Sequence, residues 1–229
     1  MILKMNGEIV SDDVKRAVNY LKARGYPILD DYFAPMDLQD AIQKLPRGDR
    51  LEIKINSCGG DVLAGQEIYT MLFRRNDVDI EVESLAASAA SVIAMAGPSS
   101  ISPVGMIMIH NVSTFGAGGD HKELEKMADV LRQYDEALAG AYSAKTGKSK
   151  AEILALMDEE SWLPAEKAVE LGLIDKVLDQ PEIPLVAGVG AIGQYDDILK
   201  QAAAMMREDE VREREKSEIL KDLDQFGSK

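Results

Sequence analysis

Two strand–turn–helix units in tandem restrict the fold of this chain more than any other feature. Across residues 50–56, Leu51, Ile53 and Ile55 alternate with polar residues and read as a strand running into Ser57-Cys-Gly-Gly-Asp61. Residues 62–75 follow, with Val62, Ile68, Tyr69, Leu72 and Phe73 as apolar positions of a helix. Val78-Asp-Ile-Glu-Val82 is a second strand. It enters Glu83-Ser-Leu-Ala-Ala-Ser-Ala-Ala-Ser-Val-Ile-Ala-Met-Ala-Gly97, which carries no charge after Glu83 and predicts a strand passing into a helix over about 89–96. Strand, helix, strand, helix in this order predicts an α/β fold with parallel strands and crossover helices. In such sheets reactive groups gather at the carboxyl ends of strands.

The flanking segments extend the pattern. Residues 1–10 read as a first strand, and Asp12 or Asp13 caps a helix through Val14, Val18 and Leu21 that Gly25-Tyr-Pro27 stops. Residues 26–36, with two prolines and three aromatics, read as an irregular loop, and 37–45 as a helix. After Pro98, residues 99–101 and 106–110 are short strands, and His110 ends the second. Gly116-Ala-Gly-Gly119 is an extended or flexible segment. Residues 122–145 form a long amphipathic helix with Leu124, Met127, Leu131, Leu138 and Tyr142 on one side. Ser149 caps a helix to Met157, with Glu152 at the capping-box position. Residues 162–165 lead into a helix ending at Leu171-Gly172, and 173–178 are a last strand. Beyond about Gln180 the character changes. An apolar, Gly-rich linker over 183–193 precedes a charged run over 195–226 that reads as a docking helix or a solvated tail.

Composition removes several functions. With 229 residues, 46% of them hydrophobic, the chain builds one large domain and an appendage. A net charge of −14 and a pI of about 4.6 argue against general binding to nucleic acid or to an anionic membrane. One cysteine, Cys58, permits no internal disulfide. Beside only two histidines it makes a Cys/His zinc site a poor reading, so neither metal nor cofactor is expected. No basic region precedes a long apolar run, and the apolar stretch 85–97 is too short to span a bilayer, so the expected location is cytoplasmic. A G-x-x-x-x-G-K-[ST] phosphate loop is missing, so any use of ATP belongs to another chain.

The serine-bearing stretch is where chemistry enters. A turn from strand to helix presents a hydroxyl beside backbone N–H groups, and Ser84, Ser88 and Ser91 are the candidates. A serine needs an adjacent base, usually a histidine oriented by a carboxylate. His110, at the end of an apolar strand, is the candidate; His121 opens a polar helix and is expected on the surface. Gly59-Gly60 lets backbone approach a substrate closely, and Ala89 opens the serine helix, so their amides are candidate oxyanion donors. Asp158, Glu159 and Glu160 are the carboxylates before Trp162.

Four stretches together resemble the Clp protease proteolytic subunit family. They are Ile55-Asn-Ser-Cys-Gly-Gly60, Ala86-Ala-Ser-Ala89 with Ala96-Gly97 downstream, Met108-Ile-His110, and Trp162-Leu-Pro-Ala-Glu-Lys-Ala-Val-Glu-Leu-Gly-Leu-Ile-Asp175, in order within about Gly7 to Leu178. The resemblance implies a crotonase-like, ClpP-type α/β fold over residues 1–182 with a long protruding handle helix at 122–145. Residues 183–229 are then the linker and tail. It implies a serine endopeptidase that assembles into rings, single or stacked, and acts on proteins or peptides. By position it makes Ser88 the nucleophile, His110 the base, and Gly60 and Ala89 the oxyanion donors. Gly116, Ala117, Gly118 and Gly119 become the segment to which substrate adds as a β-strand.

Three departures qualify the match. Cys58 stands where the family has proline, the family's glycine shortly before the nucleophile is replaced within Ser84-Leu-Ala-Ala-Ser88, and Glu160 stands where the family has its aspartate. Glu160 is the expected acid, with Asp158 as the alternative. The first 35 residues and the charged extension look more like the phage-encoded, Clp-related head maturation proteases, which cleave scaffold and capsid proteins. A housekeeping subunit under an AAA+ unfoldase is the alternative reading, and a non-catalytic ring-forming scaffold a third. A Ser-Lys peptidase using Lys54 and a CoA-dependent hydratase on the same fold are weaker readings.

Overall fold

The computed structural model describes residues 1–28 and 31–179. The expected linker and tail at 183–229 lie outside the described residues. Among the described residues, eight strands form one sheet. β1 (Ile2–Ile9), β2 (Tyr32–Phe33), β3 (Leu51–Gly60), β4 (Val78–Ala87), β5 (Ser99–Ile101) and β8 (Lys176–Val177) run in the order β2-β1-β3-β4-β5-β8. β6 (Met106–Ile109) lies beside the carboxyl half of β4, and β7 (Ser161–Pro164) lies beyond β6. Every pair is parallel except β6–β7. The helices are α1 (Asp12–Lys22), α2 (Pro35–Lys44), α3 (Val62–Phe73), α4 (Ala89–Ala94), α5 (His121–Thr146), α6 (Lys150–Asp158) and α7 (Ala165–Glu170).

β4 divides its edge between two partners. Ile80, Glu81 and Val82 pair with Ser99, Ser100 and Ile101, whereas Leu85, Ala86 and Ala87 pair with Met106, Ile107 and Met108. The fork falls at Glu83-Ser84, before the small residues that lead to Ser88. Alternation in β3 sends Leu51, Ile53, Ile55, Ser57 and Gly59 inward, against Val78, Ile80 and Val82 of β4. α4 is buried on all sides, as its uncharged sequence requires. Its first residue packs so closely on α3 that a Cβ on Gly65 would come within 2.9 Å of the Ala89 Cβ.

Several elements differ from the sequence expectations. The loop at 26–36 contains β2, whose backbone is captured by β1 through Glu8 N to Asp31 O and Val10 N to Phe33 O. α2 begins two residues early, with Pro35 in its first turn, where a missing N–H costs nothing, and with Asp37 accepting from the Ala34 N–H at 2.9 Å. β3 and β4 extend through Gly60 and Ala87, so Ser84 to Ala87 is strand and not turn. The sheet is mixed, because residues 161–164 return as an antiparallel strand on β6. The strand expected at 173–178 shrinks to Lys176–Val177, since the Leu173 and Ile174 amides turn back to Ala168 O. α5 and α6 fall within two residues of expectation, and Ser149 and Glu152 make the expected reciprocal cap. α1 forms where expected but buries none of its residues, leaving Val14 and Leu21 exposed.

The carboxyl end of α5 is tied to the sheet through Lys145, whose ammonium donates to Gly97 O at 2.9 Å and to Asp175 Oδ2 at 2.7 Å. Asp175 Oδ2 also accepts from Ser99 N at 2.7 Å. Burial pushes the Asp175 carboxyl up, but the bonds from Lys145 and Ser99 outweigh it and hold the carboxyl below its ordinary value. A carboxylate lowered on folding stabilises the protein above its unfolded pKa of about 4, and that contribution is lost as pH falls through the folded value. Asp175→Asn should therefore lower the melting temperature at pH 7, and the gap from the parent protein should close as pH falls below about 4. Thermal unfolding at both pH values measures it.

Candidate active site

Because Ala87 pairs with Met108, the chain leaving β4 stays beside β6 for one more residue, and Ser88 N donates to Met108 O at 3.0 Å. There the backbone turns sharply, with Ser88 at φ 54° and ψ −127°, and α4 starts at Ala89. His110 follows two residues after Met108, directly past the end of β6. The two side chains meet: Ser88 Oγ lies 2.8 Å from His110 Nε2. For Nε2 to accept the serine proton, the ring carries its own proton on Nδ1. The strand-end placement expected for His110 and the nucleophile position expected for Ser88 thus converge on one hydrogen bond.

The glycine pair lies on the other side of Ser88. A Cβ on Gly59 would fall 2.6 Å from Ser88 Cβ and 2.7 Å from Ala87 O, and Gly59 has φ 96°. A Cβ on Gly60, at φ 142°, would strike Ile9 O. These positions need glycine for their backbone conformation as well as for the close approach. Gly60 and Ala89 border a cavity of about 50 Å³ beside Ser88 and His110. Ala89 is the first residue of α4, so its N–H has no acceptor within the helix. A wider groove of about 870 Å³ runs past Gly60, Ser88 and His110, and Val14, Leu63 and Phe115 supply apolar surface to it. Cys58 is exposed in its wall. Gly116, Ala117, Gly118 and Gly119 are exposed and unpaired, leaving the groove just beyond Phe115.

The carboxylates are arranged differently from the hydroxyl and the imidazole. Asp158 accepts from Asn111 Nδ2 at 2.7 Å, and Glu160 Oε1 accepts from Trp162 Nε1 at 3.4 Å. Among the described residues, no carboxylate is hydrogen-bonded to His110. The register of β6 and β7 runs toward Glu160. β6 and β7 pair 106 with 164, 107 with 163, 108 with 162 and 109 with 161, so one step further sets Glu160 opposite His110. Among the described residues, Ser88 and Glu160 are the only non-glycine residues at positive φ, 54° and 49°. Strained backbone of this kind concentrates at functional sites.

The other candidates separate cleanly. Ser91 is fully buried and its hydroxyl donates to Ser88 O at 2.6 Å, so it supports the turn and does not face the groove. Ser84 lies within β4. His121 is exposed at the start of α5. Lys54 faces Glu52, Glu81 and Glu83 at 3.5, 3.1 and 3.8 Å, and its hydrogen bond to Glu81 holds it as an ammonium, which removes it as a base. Sequence reasoning put Tyr142 on the apolar side of α5 without a partner for its hydroxyl, and did not single out Asp135. Tyr142 OH is 2.7 Å from Ser91 Oγ, and Asp135, buried on the same face, accepts from Val112 N at 2.6 Å. The available signal was an aspartate in line with Leu138 and Tyr142 on an apolar helix stripe.

Residues 41–181 match the family model for Clp protease. The chain is 36% identical over 135 residues to an ATP-dependent Clp protease proteolytic subunit of Bacteroides fragilis, covering 57% of this chain and 65% of the relative. It is 33% identical over 159 residues to that of Porphyromonas gingivalis, covering 66% and 71%. It is 33% identical over 133 residues to proteolytic subunit 1 of Corynebacterium glutamicum, covering 56% and 64%. The match to the Bacteroides and Corynebacterium relatives thus spans slightly less than two thirds of their length.

Gly59 gives the most direct test of this geometry. Gly59→Ala should destabilise the fold by about 2 kcal/mol or more, from backbone strain and overlap with Ser88. The remaining folded protein should also react more slowly at Ser88. Urea unfolding and the rate of labelling by a fluorophosphonate measure the two effects.

Proposed function

Because the chain belongs to the Clp protease family, we propose that it is a serine endopeptidase in which Ser88 attacks the scissile carbonyl and His110 is the general base. The observation that carries this reading is the 2.8 Å contact between Ser88 Oγ and His110 Nε2 at the floor of an open groove. His110 takes the serine proton as the tetrahedral intermediate forms and gives it to the leaving amine. A water then repeats the sequence on the acyl-enzyme. The amides of Gly60 and Ala89 stabilise the oxyanion in the small cavity beside Ser88. Glu160 is the acid: a rotation of its side chain from Trp162 toward the facing His110 completes a Ser-His-Glu triad. An extended substrate lies along Gly116–Gly119, whose unpaired backbone offers strand-type hydrogen bonds with little demand on substrate sequence.

The protein assembles as a ring, single or stacked, acts in the cytoplasm, and cleaves scaffold or capsid proteins during phage head maturation. The basis is the N-terminal 40 residues outside the family match and the charged segment after Gln180. Among the described residues no helix is long and apolar enough to cross a membrane. The second reading, a subunit serving an ATP-driven unfoldase, is favoured by the relatives, which are ATP-dependent Clp subunits by name. Degradation of a folded substrate that requires ATP and an added AAA+ partner would select it. Self-processing of a co-expressed scaffold without ATP would select the first.

Two experiments test the chemistry. Ser88→Ala should abolish peptide cleavage and fluorophosphonate labelling while oligomerisation measured by light scattering is unchanged; retained cleavage would remove the assignment. Glu160→Gln should lower kcat by about 10²–10⁴, the range for losing the carboxylate behind a catalytic histidine. Asp158→Asn should stay within about threefold of the parent, less than 1 kcal/mol in barrier. The reverse order would make Asp158 the acid.

A further inference from the structure

We propose that Asp135 and Tyr142 are positioning residues, which fix the distance between Ser88 and His110 by holding from one face of α5 the backbone that follows each. The proposal rests on the serine peptidase reading and adds to it two residues that act through Ser91 and Val112, although Tyr142 also lines the small cavity beside Ser88.

Of the 26 residues of α5, those buried are Asp135, Leu138, Ala139 and Tyr142. Asp135 and Tyr142 are seven residues apart, two turns and about 10 Å along the axis, and so share a face. Each meets a different limb of the site. Asp135, 7% exposed, accepts through Oδ1 from Val112 N at 2.6 Å, two residues beyond His110. This is a charge-assisted bond to the chain that has just left β6, where no ladder holds it. Tyr142, 2% exposed, meets Ser91 Oγ at 2.7 Å.

The direction of the second link follows from its proton count. Ser91 has one hydroxyl proton, and it donates that proton to Ser88 O at 2.6 Å. Toward Tyr142 it is therefore the acceptor, and the phenol is the donor. A directed chain, Tyr142 OH to Ser91 Oγ to Ser88 C=O, runs from α5 to the backbone of the nucleophile. Burial pushes the Tyr142 hydroxyl above its ordinary pKa, so the donor keeps its proton throughout the working pH range. The Ser88 carbonyl also accepts from Ser91 N and Val92 N, at 2.9 and 3.3 Å, yet only the hydroxyl link reaches outside α4. With Leu138 and Ala139 packed between the two bonds, this part of α5 acts as a spacer joining the serine limb to the histidine limb.

The test uses the full-length chain. Tyr142→Phe, Ser91→Ala, the double variant, Asp135→Ala and Asp135→Asn are compared with the parent in peptide hydrolysis and in fluorophosphonate labelling of Ser88. Displacement of one reacting group costs rate without touching the substrate groove, so kcat and labelling should fall about tenfold or more with KM within about twofold. Ser91 and Tyr142 form one link, so the double variant should be no slower than the slower single variant. Asparagine still offers an oxygen to Val112 N, so Asp135→Asn should recover most of the rate lost in Asp135→Ala.

Three results would overturn the proposal. The first is parent-like kcat in both Tyr142→Phe and Asp135→Ala, with only the melting temperature reduced, which would make both residues merely structural. The second is additive losses in the double variant. The third is Asp135→Asn as slow as Asp135→Ala, which would mean that the charge matters and not the bond to Val112. If the parent itself is not labelled at Ser88, the peptidase reading falls and this proposal falls with it. A labelled parent with equally labelled variants removes the proposal alone.

Discussion

The fork in β4 is the constraint on which the rest of the site depends. A strand that paired with one neighbour along its whole length would carry Ser88 to the edge of β5, far from any histidine. Changing partners at Glu83-Ser84 lets the last three residues of β4 run beside β6. The parallel register then fixes that Ser88 N meets Met108 O and that His110 emerges two residues later. Small residues make the change sterically possible. Ala86, Ala87, Ala89 and Ala90 are buried at or next to the turn, and Gly59 and Gly65 allow β3 and α3 to close on it from either side. The charge-free composition of residues 84–97 is thus a packing requirement of the position of Ser88.

Strain and support are distributed unevenly around this centre. Ser88 sits in a backbone region that a side chain disfavours. It is held there by its amide on β6 and by three donors to its carbonyl. Glu160, the other strained residue, is exposed, and its side chain has only a long contact with Trp162 at 3.4 Å. Ser88 and His110 are in contact in this conformation, whereas no carboxylate among the described residues is bonded to His110. Catalytic contacts that are loose in a resting enzyme commonly tighten when substrate arrives.

Much of this was legible in the sequence. The alternation of residues 51–55 and the uncharged run after Glu83 gave the α/β order, and having only two histidines narrowed the base to a choice between a strand end and a helix start. The Gly59-Gly60 pair was visible as a place of close approach, although not that Ser88 Cβ was what it approached. Other features were hidden because they arise from distant partners. β2 is two residues long and exists only because β1 offers it hydrogen bonds, so no local periodicity betrays it. The antiparallel return of β7 could not be read from Trp162-Leu-Pro, since nothing local says which strand that segment meets. Tyr142 reads as an apolar position on a helix and Asp135 as nothing in particular; their polar contacts appear only once Ser91 and Val112 are brought against them.

The pairing of β7 with β6 has a consequence for how the site tolerates change in chain length. Side chains alternate between the two faces of a strand, so a slip of one residue exchanges everything on one face for everything on the other. β6 and β7 are short, and the turn after α6 reaches β7 through Glu159 and Glu160 alone. One residue added or removed there would bring Glu159 or Ser161 opposite His110 and leave every core residue of β6 in place. A substitution at Glu160 alters one side chain in place, whereas a single insertion or deletion would exchange which residue the register sets toward His110. The bend between α6 and β7 is therefore the point in the chain where length, more than chemistry, is under restriction.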